Sequence, residues 1–449
     1  MDVVGMLGLI ASLALLIYLT MKGINIVIAA LLSSVLIAVT GGLNLETAIT
    51  ENYMTGFTNY FASWFLVFLL GAIFGKVMQE TKSAESIAQW IKKTFGAKRA
   101  VFAVVAAAAI MTYGGVSLFV VGFAVYPIAV SLFRTANLPH RFIPAALVFG
   151  SVSFTMTSPG SPEIQNIIPT EFFGTTPTAG GIIGVIIGLL IMVTGGLWLG
   201  RMVRKASAAG ETFMLPSEAA AGKNESASAA EARPEEEVKP ENERLPNIFI
   251  SILPLVVVIV LLNVLGQFMN PTTALLIALT LGIFLACTMM AKFLKQFWES
   301  LAVGTQNALV ALANTCAVVG FGSVAAQVSA FDSLVDGLVN LPGPPLLGLA
   351  VGVTLVCGIT GSASGGLGIA LPILAPIYMS QGLSPGEMHR VSALASGGMD
   401  SLPHNGYVVT TIRAICGETH KRAYKPILLL SVVLPLAAML LAVILYSIF

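Results

Sequence analysis

Two polar, helix-breaking stretches interrupt otherwise apolar parts of this chain. The first, residues 151–166, reads SVSFTMTSPGSPEIQN, and a continuous helix is hard to sustain across Pro159, Gly160 and Pro162. A helix that unwinds inside a membrane points half-helix amino termini, each carrying about half a positive charge, at the interior and so attracts anions. Hydroxyl side chains can donate to a carboxylate. The stretch therefore predicts an anion cradle that needs no fixed positive charge, although small polar residues also occur where membrane helices simply pack.

The second stretch, residues 396–405, reads SGGMDSLPHN and adds titratable side chains. An ionisable residue at the centre of a membrane span costs about 2.5 to 3.5 kcal/mol on insertion scales, so it usually marks an ion or proton pathway. Histidine titrates near neutral pH, and the pKa of a desolvated carboxyl can be shifted into that range. We expect Asp400 or His404 to carry a coupling proton, with Glu163 of the first stretch as the third candidate. A purely structural pair of Asp400 and His404 is the alternative.

A split apolar segment precedes each polar stretch. Residues 100–133 are interrupted at Gly114 and Gly115, and residues 346–378 are interrupted between positions 358 and 366. Each half is short for a crossing, which needs about 20 apolar residues, so each pair predicts a re-entrant hairpin buried in protein. The tip residues either form the turn or expose backbone N–H groups to a ligand. The residues expected to bind substrate are Gly114, Gly115, Ser117, Ser153, Thr155, Thr157, Ser158, Gly160, Ser362, Ser364, Gly365, Ser396, Gly397 and Asn405.

The composition places these elements in a membrane. Of 449 residues, 56% are hydrophobic and 10% are charged, whereas about a quarter of a soluble domain is charged. We expect an all-α polytopic membrane protein with about ten transmembrane helices plus the two hairpins. Residues 142–173 and 391–415 are the two spans that unwind at the polar stretches. Another span is expected at residues 60–78, after an external loop at residues 42–58 that has no Lys or Arg.

The two halves of the chain repeat one order of elements. The section from residue 113 to residue 160 is loosely echoed about 245 positions later, with both interruptions in the right order. If the amino terminus is outside, the basic residues fall on the cytoplasmic side and only Arg390 is left outside. The hairpins then enter from opposite sides, which makes residues 1–205 and 247–449 inverted-topology repeats. Residues 206–246, rich in Ala, Ser, Glu, Lys and Pro, are expected to be a flexible cytoplasmic linker.

Motifs of other function classes are missing from the sequence. It has no HExxH, no GxxxxGK[ST], no CxxC pair and no GxSxG at a strand-to-helix turn, and its Lys and Arg residues do not form a nucleic-acid-binding face. We therefore expect no enzyme activity, no cofactor, no metal and no nucleic-acid partner. Two alternatives stay open: an anion channel, which would need a continuous pore, and a membrane-embedded hydrolase that uses Asp400, His404 and a serine.

The second hairpin and the second polar stretch resemble those of the gluconate permease family, GntP, of the ion transporter superfamily. The resemblance rests on GITGSASGGLGIALPILAP at residues 358–376 and ASGGMDSLPHNGYVVTTIRAICG at residues 395–417, and the repeat plan covers essentially the whole chain. It implies proton symport of a small hydroxylated monocarboxylate, such as 3-hydroxybutyrate or gluconate, across a bacterial inner (plasma) membrane. The chain looks more similar to the D-3-hydroxybutyrate permease branch than to the sugar-acid branch.

The same resemblance implies an assembly and a mode of movement. Superfamily members form homodimers through a scaffold domain and carry substrate by an elevator motion of a transport domain that bears the hairpins. Sodium in place of the proton remains a rival coupling ion, because unwound carbonyls can coordinate it. The choice among carboxylates depends on the shape of the pocket.

Overall fold

The computed structural model describes residues 3–22, 24–96, 99–216, 245–339, 341–403 and 405–448. Every regular element within these ranges is a helix. Seven helices of at least 18 residues are apolar enough to cross a membrane, and five shorter apolar helices of 10–17 residues accompany them. The all-α polytopic fold expected from the composition is confirmed.

The first half of the chain combines long spans with short helices. In chain order the helices are α1 Val3–Met21, α2 Ile26–Thr40, α3 Leu45–Glu80, α4 Ser83–Phe95, α5 Ala100–Tyr113, α6 Leu118–Thr135, α7 Ile143–Val148, α8 Ile164–Phe173 and α9 Gly181–Ala208. The short helix α4 is strongly amphipathic, with Ile87 and Ile91 on its buried face. It connects α3 to the α5–α6 pair.

The second half follows the same order of elements. Its helices are α10 Ile248–Leu265, α11 Pro271–Met289, α12 Phe297–Ala325, α13 Ser329–Val339, α14 Pro345–Thr360, α15 Ala363–Ser380, α16 Pro385–Ser396, α17 Gly406–Val409 and α18 His420–Ile448. In each half two helices lead to a long one, then to a short amphipathic helix, a close helix pair, an interrupted helix and a long final helix.

The two split segments form helix pairs with tight tips. Gly115, between α5 and α6, has a φ of +89°, and Gly361, between α14 and α15, has a φ of +60°. Both values lie in the left-handed region that glycine adopts without a steric penalty. The splits predicted from the glycine-rich sequences are observed at these two tips.

Helix α3 begins earlier than the sequence predicted. The expected external loop at residues 42–58 is wrong over most of its length, because the helix starts at Leu45 and passes through a π-helical turn, Ala48–Tyr53. Polar residues at the start of α3 lower its hydropathy, and for this reason the sequence predicted a loop there. The structural consequence is a polar helical surface at one end of α3.

Helices α3 and α12 pack antiparallel through glycine contacts. A Cβ added to Gly304 of α12 would lie 2.9 Å from the Cα of Ile73, and one added to Gly320 would lie 2.9 Å from the carbonyl oxygen of Tyr53. Glycines let the two backbones approach closely, as is common in membrane helix packing. Helices α1 and α2 pack against the same end and form a separate apolar core with it.

The described start of the segment between the two halves, residues 206–216, is held to the first half by hydrogen bonds. Helix α9 continues to Ala208, past residue 205, where the first half was expected to end. Arg141 then donates two hydrogen bonds of 2.7 Å each to the carboxylate of Glu211. These bonds hold the pKa of Glu211 below its usual value. Residues 217–244, most of the expected linker, lie outside the described residues.

Candidate functional site

The first interrupted helix unwinds at the predicted proline and glycine residues. Helix α7 continues into a π-helical turn, Phe149–Ser153, and regular helix returns only at Ile164. Gly160 has a φ of +80°, a conformation that favours glycine. The irregular segment of residues 154–163 is called break 1 below.

Several hydroxyl groups predicted to bind substrate at break 1 hydrogen-bond to the protein. Thr155 and Ser158 each donate to the carbonyl oxygen four residues earlier, both at 2.5 Å. Ser153 Oγ donates to Ser431 Oγ of α18 at 2.8 Å. The buried Thr157 Oγ1, in contrast, has no hydrogen-bond partner among the described residues. Thr155 and Ser158 thus satisfy carbonyls at the start of the unwound segment, whereas the Thr157 hydroxyl is unpaired within the described residues.

The second interrupted helix is irregular over the described residues 397–403 and 405, called break 2 below. Helix α16 ends at Ser396, whose Oγ donates to the Ala393 carbonyl at 2.8 Å. The short helix α17 begins after Asn405, whose Oδ1 accepts the N–H three residues further on at 2.8 Å. This is the N-cap geometry that asparagine favours. Break 2 is therefore bounded by a helix end and a capped helix start.

The predicted titratable residues lie at different points of the two breaks. Asp400 is buried in break 2, with 4% of its surface exposed, and accepts a hydrogen bond from Ser401 Oγ at 2.9 Å. Glu163, only partly buried, is the last residue of break 1 and precedes α8. His404 lies outside the described residues. Within the described part of the chain, no group of three or more His, Cys, Asp or Glu side chains could hold a metal ion.

Each hairpin tip contacts the break of its own half. The Tyr113 hydroxyl at the end of α5 donates to the Pro159 carbonyl of break 1 at 2.6 Å. In the second half, Asn405 Nδ2 donates to the Gly361 carbonyl of the α14–α15 tip at 2.9 Å. The structure therefore brings together the tips and breaks that the sequence singled out.

The other predicted tip residues serve the turns themselves. Ser362 Oγ accepts the N–H of Gly365 at 3.2 Å and caps α15, and Ser364 Oγ lies 3.4 Å from the same hydroxyl. Ser117 is the N-cap residue of α6. Gly114 faces α10 so closely that an added Cβ would collide with a leucine there. The bonds of Ser362 fit the turn-forming alternative considered from the sequence, whereas Ser117 makes no side-chain cap bond.

Breaks 1 and 2 meet at their small residues. A Cβ added to Gly397 would lie 3.1 Å from Cγ2 of Thr157, which is tighter than ordinary van der Waals contact. The Tyr407 hydroxyl of α17 also donates to Ser151 Oγ, in the π-helical turn before break 1, at 3.4 Å. The two interrupted helices are therefore neighbours, as the anion-cradle hypothesis requires.

A buried arginine joins the two interrupted helices. Arg390 of α16 has 0% of its surface exposed. Its Nε and Nη2 donate to the Ala179 carbonyl at 3.0 and 2.8 Å, Nη2 also donates to the Pro177 carbonyl at 3.2 Å, and Nη1 donates to the Thr157 carbonyl of break 1. The sequence placed Arg390 only as a basic residue on the outer side. The signal in the sequence that could have indicated this role is the position of Arg390 in the helix that leads into break 2. The anion cradle was expected to need no fixed positive charge, but the structure places one beside it.

Comparison with known proteins places the chain in a family. Residues 4–446 match the model of the GntP family permease. The uncharacterized transporter YxjC of Bacillus subtilis (strain 168) is 35% identical over 450 residues, an alignment that covers 95% of each chain. The chain belongs to the GntP permease family. This permease is therefore a multi-pass membrane transporter, as the resemblance predicted.

A solved transporter shares the fold of the GntP permease. The YdaH transporter of Alcanivorax borkumensis has a TM-score of 0.52 to it at 17% sequence identity, and the similarity covers 90% of this chain and 89% of that one. At this identity the likeness concerns the fold alone.

The permease also has a cavity that none of the predicted site residues lines. It has a volume of about 450 Å³ and lies among α3, α8, α12 and α15. The contact between the breaks, in contrast, is closely packed, with Thr157 only 2% exposed. The cavity is thus separate from the contact between the two breaks in this structure.

Proposed function

We propose that the permease is a secondary active transporter that couples proton entry to uptake of a small hydroxylated monocarboxylate, such as 3-hydroxybutyrate or gluconate, across a bacterial inner membrane. The observation that carries the proposal is the contact between the two breaks with the buried guanidinium of Arg390 beside it. A fixed positive charge and half-helix amino termini attract a carboxylate. The free Thr157 hydroxyl supplies a directed hydrogen-bond donor at the same place.

The predicted residues take two kinds of role in this proposal. Thr157 and Gly397 pack together where the breaks meet, and in this proposal they contact the acid once the two breaks move apart. Arg390 is a positioning residue, because its donors hold the backbone of break 1 while its charge favours an anion nearby. The remaining predicted residues fix the tips and breaks around the acid through the hydrogen bonds described above.

Transport of an anion into a negative interior needs a coupled cation. The membrane potential is worth about 2.3 kcal/mol per charge per 100 mV, and it opposes the uptake of a carboxylate. The buried Asp400 is the proton carrier that we propose, with His404 and Glu163 as the alternatives. Sodium is the second choice, because the positive guanidinium of Arg390 lies against the carbonyls of Thr157, Pro177 and Ala179 and disfavours a second cation there.

The proposed architecture is a pair of inverted-topology repeats, residues 1–205 and 247–449. The shared order of helices in the two halves supports it, as does the clustering of basic residues at one end of the spans. In this proposal the hairpins and interrupted helices form a transport domain that moves against a scaffold containing α3 and α12, as in an elevator. Two copies associate through their scaffolds as a homodimer.

Transport by proteoliposomes tests the proposal. With unlabelled 3-hydroxybutyrate or gluconate trapped inside, a carrier accumulates labelled acid transiently by exchange, whereas an anion channel does not. An inward proton gradient should also drive accumulation. Asp400→Asn should retain exchange and lose the gradient-driven accumulation, whereas Glu163→Gln, the matched carboxyl-to-amide change at break 1, should retain both. Unchanged proton coupling in Asp400→Asn would remove Asp400 from the mechanism, and accumulation driven by a sodium gradient alone would favour sodium symport.

A further inference from the structure

The cavity is lined on one side by a polar stripe of α3. Asn52, Thr55, Asn59 and Ser63 follow one another at intervals of three, four and four residues. This spacing places the four side chains on one face of a helix. Each carries a neutral group that can donate and accept hydrogen bonds.

The other walls add polar and aromatic groups from three helices. Ser323 near the end of α12 and Gln327 just after it contribute further neutral polar groups, and Phe172 of α8 contributes an aromatic ring. Tyr60 and Trp64 line the cavity from α3. The resulting surface is amphipathic, and its one charged side chain among the described lining residues is Glu171, which accepts a hydrogen bond of 2.8 Å from Thr272.

Such a surface needs water or a ligand. At membrane depth, lipid would leave polar side chains without hydrogen-bond partners, at a cost of several kcal/mol for each group. Asn59 and Ser63 are exposed residues of a membrane-spanning helix. The cavity beside them is therefore an aqueous space rather than a gap filled by acyl chains.

The distribution of basic residues shows which side the cavity faces. It lies at the end of the spans where the connecting residues 41–44, 174–180 and 266–270 contain no Lys or Arg. Basic residues such as Lys92 and Arg134 lie at the ends of α4 and α6 instead. Because basic loops stay in the cytoplasm, the cavity end of the protein is external.

We propose that this cavity is an outward-facing binding site at which a small hydroxylated organic acid is held through its hydroxyl groups before it reaches the breaks. The ligand class rests on the proposed function. The volume of about 450 Å³ falls in the range of about 300–1,000 Å³ typical of small-molecule sites. Neutral amides and hydroxyls recognise the hydroxylated part of the acid, while the positive charge that attracts its carboxylate is that of Arg390, outside the cavity lining.

Thiol labelling from outside the cell tests the site. Ser63→Cys places a thiol in the cavity, and Thr58→Cys places one on an exposed part of α3 that does not line it. A maleimide that cannot cross membranes should label Ser63→Cys at least about tenfold faster, because the reactive thiolate needs water. The unmodified chain supplies the background, since Cys316, Cys357 and Cys416 are buried and Cys287 is half-buried.

Protection by substrate then separates a binding site from a water-filled groove. Whichever of 3-hydroxybutyrate and gluconate the permease accumulates should slow the labelling of Ser63→Cys severalfold, and butyrate, which lacks a hydroxyl group, should not. Equal labelling of the two variants, labelling only from the cytoplasmic side, or no protection by an accumulated acid would each overturn the site. If neither acid is accumulated and neither protects, the proposed function and the acid-binding role both fail, while fast external labelling would still show that the cavity is open to water outside.

Discussion

Replacement of Arg390 gives the most specific test of how the two breaks are held together. Arg390→Ala leaves the carbonyl oxygens of Thr157 and Ala179 without their donor, whereas the Pro177 carbonyl still accepts hydrogen bonds from the Gly160 N–H and from Asn166 Nδ2. Each unsatisfied buried group costs about 1 to 3 kcal/mol, and local relaxation offsets part of the sum. For these two carbonyls we expect the free energy of unfolding to fall by about 2 to 4 kcal/mol.

Conservative variants separate the charge of Arg390 from its hydrogen bonds. Lysine keeps the positive charge, but its single ammonium group cannot span three carbonyls from two chain segments as the guanidinium fork does. Arg390→Lys should therefore be destabilised and still bind the acid weakly. Arg390→Gln lacks the charge, so it should lose acid binding more completely than Arg390→Lys at a similar stability.

The assay combines a melting temperature in detergent with exchange of labelled acid in proteoliposomes. Arg413→Ala is the matched control, because this exposed arginine lies in the π-helical turn that follows α17 and removing it takes a cation from the same half of the protein. It should leave both measurements unchanged. An Arg390→Ala protein that melts and exchanges like the wild type would refute the clamping role.

Three further variants probe contacts around the site. Asn405→Ala removes the cap of α17 and the bond to the second hairpin tip, so we expect a loss of about 1 to 2 kcal/mol in stability and slower exchange, seen by denaturation and counterflow. Glu418→Ala leaves the buried His140 without the carboxylate that lies 2.9 Å from its Nδ1, which should cost about 1 to 3 kcal/mol, whereas Glu418→Gln, which keeps an acceptor, should lose less. The contact between Arg141 and Glu211 lowers the pKa of Glu211, so it stabilises the protein above about pH 4.3, and this stabilisation is lost as the pH falls through the lowered value. The two side chains are 24% and 41% exposed, so the contact is worth at most about 1 kcal/mol. Glu211→Gln should remove this acid dependence of the melting temperature.

The interruptions of the helices could be predicted because they depend on the conformational preferences of proline and glycine at the interruption itself. Prolines and glycines act on their own backbone, so break 1 and the tips at Gly115 and Gly361 could be read from neighbouring residues. The start of α3 could not be found in this way. A hydropathy window excludes a helical stretch with several polar residues, and Asn52, Thr55, Asn59 and Ser63 line a cavity that only the packed helices create.

The partners of polar side chains were beyond prediction for a different reason. Arg390 bonds to carbonyls more than 200 positions earlier in the chain, and nothing in its neighbours indicates them. Likewise, Thr155 and Thr157 are equivalent in sequence, yet one bonds to a backbone carbonyl and the other has a free hydroxyl among the described residues. Helix ends follow from nearby residues, whereas the choice between a structural and a ligand-binding hydroxyl depends on the packing of distant segments.

Acid binding by two glycine variants tests most directly whether the substrate lies where the breaks meet. Valine at Gly397 would project against Thr157, whereas valine at Gly406 has no heavy atom within 4 Å of its Cβ position. We predict that 3-hydroxybutyrate or gluconate raises the melting temperature of the wild type and of Gly406→Val, and fails to raise that of a Gly397→Val protein with unchanged helix content. Equal stabilisation of both variants by the acid would contradict a binding site between the two breaks.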